Sequence, residues 1–268
     1  MIFVRDKGRM CNNLLQYGHV YAWGREHGRQ TMSMRFAYKY PYFHICHTRW
    51  HNFPTYAAVK CAAKLGLLPV ASFDRPDADS DRLEALMLDS RHIVVEGWQA
   101  RWYDLFLKYK EEILQLFAFD TRLLQTTGRL LDSLQPHAVR LGLHIRRGDY
   151  ARWHGGRFFF TDRQYIAQVR QFLAMHKGEQ VQLLICGNDP TLDEDAYRQA
   201  FPQCQVVFPK GNPGEDLCLL SQCHWLMGPP STFTLVAAMY RDTPLCWIEN
   251  AEAPLAFSRF DQLFTQIK

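Results

Sequence analysis

The run His144-Ile145-Arg146-Arg147-Gly148-Asp149-Tyr150 puts a histidine, two adjacent arginines and an aspartate at the end of an apolar stretch. Val139, Leu141, Leu143 and Ile145 alternate, which reads as a strand with His144 and Arg146 on its opposite side. In open α/β sheets ligands collect at the carboxyl edge of the strands. Two neighbouring arginines are costly to hold together unless an anion sits beside them, and their planar forks match phosphate oxygens. Arg146 and Arg147 are therefore candidate phosphate ligands, with Asp149 orienting one guanidinium and Gly148 allowing a sharp turn. Two solvated arginines in a surface turn are the plainer alternative. A second feature points the same way. In Gly228-Pro229-Pro230-Ser231-Thr232-Phe233 two prolines stiffen the approach to a helical stretch whose cap is Ser231 or Thr232. Free amides and hydroxyls at a helix start suit a phosphate, although simple capping would also explain Ser231.

The elements that must position these groups are clearest in the second half. The strand from Val139, a helix from Thr161, the strand VQLLICG, a helix near Ala196–Ala200, the strand QVVFP, a helix through Leu217, the strand HWLMG, a helix from Ser231 to Tyr240 and the strand PLCWIE follow one another. Strand and helix in alternation predict a parallel sheet wrapped by helices. The first half is less regular. Ile2–Val4 reads as a strand, Asn13–His27 as a helix stopped by Gly28, IVVEGW as a strand and Tyr103–Phe117 as a helix. The domain boundary is placed near Gln135-Pro136, giving domains 1–136 and 137–249. Residues 250–268 are read as a segment ending in a short amphipathic helix that crosses back to the first domain.

Composition narrows the function. Of 268 residues 47% are hydrophobic, enough for one or two ordinary cores, and 22% are charged, which excludes a disordered chain. A net charge of +4 suits an anionic substrate but gives no nucleic-acid coat. No apolar window is long enough to cross a membrane and the first residues do not read as a signal peptide, so a cytoplasmic protein is expected. The eight cysteines lack any C-x-x-C pair, several lie in apolar runs, and reduced structural thiols are expected.

The motifs together resemble those of the α-1,2-fucosyltransferase family. HIRRGDY resembles its H-x-R-R-x-D motif, and Gly8-Arg9-Met10-Cys11-Asn12-Asn13-Leu14-Leu15-Gln16-Tyr17 its opening glycine-rich loop and helix. Gly187-Asn188-Asp189 sits where the family often has Ser-Asp-Asp. Glu215-Asp216-Leu217 through Cys223 and Pro230-Ser231-Thr232-Phe233 are similar to its E-D and N-S-T-F segments. Arg9, Cys11, Asn13 and Pro230 depart from that pattern. The resemblance implies a GT-B-like α/β fold, two Rossmann-like domains facing across a cleft. It also implies an inverting, metal-independent transfer of L-fucose from GDP-fucose to a glycan hydroxyl, with galactose O2 favoured, and no cofactor besides the donor. On that resemblance Arg146, then Arg147, would stabilise the β-phosphate, with Asp149 beside them. Ser231, Thr232 and the Phe233 amide would hold the same phosphate. His144 and Asp216 would contact the guanosine, Asn188 and Asp189 would line the donor site, Gly8 would let the backbone approach the sugar nucleotide, and Asn12 and Asn13 would face the fucose or the incoming hydroxyl. Asp149, Asp6 and Glu96 are candidate bases. No nucleic-acid partner or transmembrane segment is implied, and lipid-linked acceptors would be reached from the membrane periphery. A catalytically weak sugar-nucleotide-binding protein of the same fold is the alternative, suggested by Arg9 and Cys11.

Two rival constellations remain. Asp77-Ala78-Asp79 and Asp79-Ser80-Asp81 are D-x-D patterns of the kind that hold a metal–nucleotide, or a helix cap in a polar loop. His44, Cys46, His47 and His51 are close in sequence, but their spacing matches no standard zinc site. P-loop, serine-esterase and zinc-protease motifs are absent.

Overall fold

The computed structural model describes residues 1–136, 138–187, 189–262 and 264, and it divides into two units, Met1–Thr121 and a second from Arg122 on. In the first unit β1 (Ile2–Arg5), α1 (Met10–Glu26), β2 (Thr31–Ser33), α2 (Phe53–Lys64), β3 (Val70–Ser72), α3 (Ser80–Asp89) and β4 (Ile93–Glu96) build a sheet of order β2-β1-β4-β3. All its pairings are parallel. Helices α4 (Tyr103–Lys108) and α5 (Lys110–Leu116) follow. The single helix expected over 103–117 is thus broken at Tyr109, whose φ of −104° and ψ of 17° depart from helical values. Strands β2 and β3, and α2, were not expected. Three-residue strands are too short to show alternation. Gly97 ends β4 at φ +112°, and a Cβ there would lie 2.2 Å from the Phe73 carbonyl carbon. Only glycine fits that close backbone approach.

The second unit starts with α6 (Thr121–Asp132) and continues through β5 (Val139–Ile145), α7 (Asp162–Met175), β6 (Val181–Gly187), α8 (Glu194–Ala200), β7 (Gln205–Val207), α9 (Pro213–Leu220), β8 (Trp225–Gly228), α10 (Thr232–Met239) and β9 (Leu245–Trp247). Its sheet has the order β7-β6-β5-β8-β9, parallel throughout, so the expected βα alternation is present element by element. Local chemistry sets the boundaries. Thr161 and Gln164 form a reciprocal capping box on α7, and Asn212 and Glu215 form another on α9. β5 is central and buried on both faces. Leu141, Leu143 and Ile145 join the core under α7 and α8. On the other face Gly142 lets Leu220 and Cys223 approach, because a Cβ there would meet them at 2.7 and 2.9 Å.

Two boundaries differ from the sequence reading. The division falls at the start of α6 rather than near Gln135-Pro136, because α6 buries Leu123 and Thr127, and the Thr127 hydroxyl lies 3.2 Å from Cys218 Sγ on α9. The described part of 250–268 packs within the second unit instead of returning to the first. Gln168 Nε2 on α7 donates to the Ala251 carbonyl at 2.6 Å, Leu245 pairs with Asp261, and Phe260 packs edge-on against Trp225. The rest of the expected terminal helix, Leu263 and 265–268, lies outside the described residues.

Candidate active site

In the second sheet β5 is flanked by β6 and β8, and the winding direction reverses between β5 and β8. That reversal opens a crevice at the carboxyl ends of the two strands, where doubly wound sheets take ligands. The loops leaving β5 and β8 carry the HIRRGDY and PPSTF residues, so the topology brings the two sequence features to one edge. Tyr150 ties them directly, its hydroxyl donating to the Pro230 carbonyl. Gly228 allows β8 to lie against β5, since a Cβ there would sit 2.7 Å from the His144 carbonyl oxygen.

The two arginines take different parts. Arg147 is buried, with 8% of its side chain exposed, and its fork is spent inside the fold. Nε donates to the Phe160 carbonyl at 2.9 Å, Nη2 to Asp162 at 2.5 Å and Nη1 to Asp189 at 3.0 Å. Tyr197 Oη adds a bond to Asp162 at 2.9 Å. Two carboxylates around one guanidinium leave little attraction for a phosphate, so Arg147 braces the loop, a correction to its expected place beside Arg146. Asp189 shares in that bracing. Burial opposes its ionisation, but hydrogen bonds from Thr191 and Arg147 hold its carboxyl below the usual range. Asn188, also expected there, lies outside the described residues.

Arg146 is the available cation. Asp149 accepts from its Nη2 at 2.8 Å and its Nε at 3.3 Å, and its guanidinium lies 4.8 Å from the Tyr150 ring centre. The pair is asymmetric: 16% of the Arg146 side chain is exposed against 45% of Asp149. Asp149 thus aims Arg146, as the sequence suggested. Across the edge Ser231 caps α10, its hydroxyl accepting from the Phe233 amide at 3.1 Å. Thr232 opens the helix, and the amides of this first turn point outward from its positive end.

His144, Cys186, Asp216 and Phe233 form a second patch. His144 and Cys186 are register partners on β5 and β6. The His144 ring stacks on Phe233 with centroids 4.9 Å apart and planes 20° off parallel. Burial, with help from Arg146, pushes the imidazole down to about 3, so it is neutral, and its Nδ1 is buried without a partner. Asp216 is pushed up to about 7 by burial and the neighbouring Glu215 charge, against a hydrogen bond with the Cys186 thiol. Its Oδ1 is also buried without a partner. An orphaned acceptor beside a neutral aromatic pair is what the edge of a heteroaromatic base would satisfy. The apolar run QLLICG marks Cys186 as a core residue, and only the fold brings its thiol to Asp216 on α9. Tyr150 closes the HIRRGDY run, but nothing in that spacing shows that its hydroxyl reaches the Pro230 carbonyl.

The remaining expected residues sit at the edge of the first sheet, in the other unit. Gly8 turns the chain at φ +91° between β1 and α1, and a Cβ would lie 2.7 Å from Asn12 Nδ2. Gln16 clamps the loop through Lys7, donating from Nε2 to its carbonyl at 2.6 Å. Asn13 is fully buried, with Nδ2 3.4 Å from the Gly8 carbonyl and Oδ1 without a partner. Asn13 therefore supports the loop from beneath rather than facing outward. Glu96 is paired with Arg5 at 3.0 Å. Asp6 is buried and accepts from the Ser33 hydroxyl. The D-x-D segment caps a helix, since Asp79 accepts from the Arg82 amide at 3.0 Å. His51 accepts from the Ser33 amide at 2.9 Å and contacts Thr48 Oγ1 at 2.7 Å, while His47 faces Asp120 at 3.6 Å. Among the described residues no three His, Cys, Asp or Glu side chains are grouped to hold a metal ion.

Two Rossmann-like parallel-sheet units with a nucleotide-type edge define a GT-B-like α/β fold, and solved structures share it. An Arabidopsis thaliana FUT1 mutant in complex with GDP aligns with TM-score 0.66 over 97% of this chain and 73% of that one, at 10% identity. NodZ alpha-1,6-fucosyltransferase soaked with GDP-fucose aligns with TM-score 0.56 over 91% and 94%, at 16% identity. In sequence the chain is related to mouse galactoside alpha-(1,2)-fucosyltransferase 1, 26% identical over 92% of this chain and 65% of that protein. It is similarly related to bovine galactoside 2-alpha-L-fucosyltransferase SEC1, 24% identical over 97% and 69%. The chain thus spans about two thirds of the length of these relatives. No family profile matches it. No described helix is long and apolar enough to cross a membrane.

Proposed function

We propose that the chain transfers L-fucose from GDP-fucose to a glycan hydroxyl, with galactose O2 as the target, by inversion and without a metal ion. The relatives' names and the GDP and GDP-fucose complexes among its structural neighbours support this reading. The observation that carries it is the edge of the second sheet, where one aimed cation, one helix start and two buried polar atoms without partners, His144 Nδ1 and Asp216 Oδ1, lie on neighbouring elements. Asp216 Oδ1 and the His144–Phe233 stack receive the guanine, whose N1–H and N2–H donate to the carboxylate. Arg146, the Ser231 and Thr232 hydroxyls and the positive end of α10 receive the diphosphate, while the Phe233 amide, expected among the phosphate donors, stays bonded to the Ser231 hydroxyl.

As the bond from the sugar anomeric carbon to the β-phosphate oxygen breaks, negative charge grows on that phosphate. Arg146 is already oriented by Asp149 and Tyr150, so it meets that charge without reorganising, which is the condition for large transition-state stabilisation. The acceptor hydroxyl attacks from the face opposite GDP; as the new glycosidic bond forms, GDP departs with the electron pair of the broken bond and the hydroxyl proton passes to solvent.

The test is incubation with labelled GDP-fucose and a panel of galactose-terminated acceptors, with and without EDTA, alongside GDP titration by calorimetry. Fucosylated product in both conditions is expected. GDP binding without transfer to any acceptor or to water would leave a binding protein, and no GDP binding would sink the assignment.

A further inference from the structure

The first unit holds a groove of about 400 Å³ at the carboxyl end of β1 and β2, against α2. That lies within the range of roughly 300–1,000 Å³ found for small-molecule sites. Its lining is unusual in charge. Arg5, Arg35, Lys60 and Lys64 all border it. Arg5 is neutralised by Glu96. Arg35 is held by neutral groups, with Nη1 donating to Tyr38 Oη at 2.8 Å and Nη2 to the Asp6 carbonyl at 3.3 Å. Lys60 lies 5.5 Å from the Tyr56 ring centre, and neither it nor Lys64 has a carboxylate partner among the described residues. The single acid in the lining, Asp6, is pushed up to about 8 by burial and so leaves these cations uncompensated near neutrality.

Three unneutralised cations around one concavity repel one another, and on an ordinary solvated helix face they would splay apart. Here the wall between them is aromatic. Tyr38 and Tyr56 pack at 4.4 Å between ring centres, and part of the Tyr38 surface, 41%, is open to solvent. A sugar ring offers an apolar C–H face to such a wall, and an acidic substituent would satisfy the cations through charge-assisted hydrogen bonds.

We propose that this groove binds an anionic sugar, a hexose carrying a phosphate or a carboxylate, with the ring against Tyr38 and Tyr56 and the acid among Arg35, Lys60 and Lys64. This rests on the proposed transfer only in calling that sugar part of the acceptor; the binding itself is independent of it. The relatives' names specify a galactoside and no acid, so the inference adds charge to the acceptor class.

The experiment uses the full chain, with and without saturating GDP, titrated at constant ionic strength with galactose 6-phosphate, galacturonate, galactose and inorganic phosphate. One or both acidic sugars should bind at least tenfold tighter than galactose or phosphate. The one that wins tells a phosphorylated acceptor from a uronic one. Lys60→Glu/Lys64→Glu, both on an exposed helix face, should weaken that binding at least tenfold and leave GDP affinity unchanged. Tyr56→Ala should weaken it while leaving inorganic phosphate unaffected. Galactose or phosphate binding as tightly as the acidic sugars, no binding, or full binding by the double variant would each overturn the proposal. GDP binding with no sugar binding sinks the groove alone, whereas loss of both sinks the transferase reading.

Discussion

Each sheet carries at its carboxyl edge one acid that burial pushes far above the ordinary carboxylate range, Asp6 to about 8 in the first unit and Asp216 to about 7 in the second. Each also keeps one buried oxygen without a partner. Their surroundings differ. Asp6 is bonded to Ser33 and lies under Arg35 in a groove rich in cations, so its neutrality preserves positive charge there. Asp216 sits with a neutral histidine, a thiol and Glu215, while the cation of that edge, Arg146, is assigned to Asp149 on another loop. The second edge keeps its acceptor and its cation apart, as a ligand with a base at one end and a diphosphate at the other requires. The first gathers charge of one sign, as a ligand with a single acidic group requires.

The largest effects should come from dividing the second edge against itself. Arg147→Ala removes the cation that bridges Asp162 and Asp189, and stripping one partner from a buried charge cluster costs about 3–5 kcal/mol. Denaturant unfolding should show that loss. Arg146→Ala should leave the unfolding midpoint near that of the parent and slow fucosyl transfer by roughly 10²–10³ or more, the usual cost of losing one preorganised donor. If Arg146→Ala unfolds the chain while Arg147→Ala leaves a stable enzyme with slow turnover, the two arginines have exchanged roles.

That division was not legible in the sequence. Adjacent arginines at a strand end look alike on the page, and only the arrival of Asp162 from α7 and Asp189 from the β6 edge distinguishes them. Both acids lie more than ten residues away in sequence, where no local spacing rule reaches. What was legible is what periodicity and capping encode: the order of the strands and α-helices from Val139 to Trp247, a cap at Ser231 or Thr232, and the edge at which Arg146 would stand. The first unit was harder because β2 and β3 contribute three residues each, and because Tyr17, Phe36, Phe43 and Phe117 fill its core by ring-to-ring packing that follows no simple repeat. The basic groove escaped for a related reason. Its cations come from β1, the chain after β2, and α2, and only the fold lines them up.

A smaller effect tests the acceptor role of Asp216. In the free protein its carboxyl takes up a proton as pH falls through about 7, and a protonated acid accepts poorly from guanine N1–H and N2–H. Affinity for guanosine should therefore fall on acidification, by at most about tenfold per pH unit below that point. Guanosine is the better probe than GDP, whose terminal phosphate itself titrates near about pH 6. His144, already neutral, adds nothing in this window, and the raised Cys186 thiol titrates well above it. Asp216→Asn should bind weakly with a flat pH profile. An unchanged slope in that variant would take Asp216 out of base recognition.

The corresponding experiment at the first edge reads stability rather than binding. The folded-state value for Asp6 is raised, from 3.8 to about 8, so the sign runs opposite to that of an ion-paired carboxylate. Below pH 4 the acid is protonated both folded and unfolded, and the native state carries its full stability. As pH rises from about 4 to about 8 the unfolded chain releases this proton and the folded one does not, so stability declines across that window and levels off above it. Asp6→Asn keeps an oxygen for the Ser33 hydroxyl but cannot titrate. Its unfolding free energy should therefore lose part of the downward slope between pH 5 and 8, a difference of more than about 1 kcal/mol across the window. Denaturant melts of both proteins at four pH values measure it. Parallel curves would mean that Asp6 is ionised in the fold, that the groove carries a compensating charge, and that the contrast between the two edges is weaker than their hydrogen bonding implies.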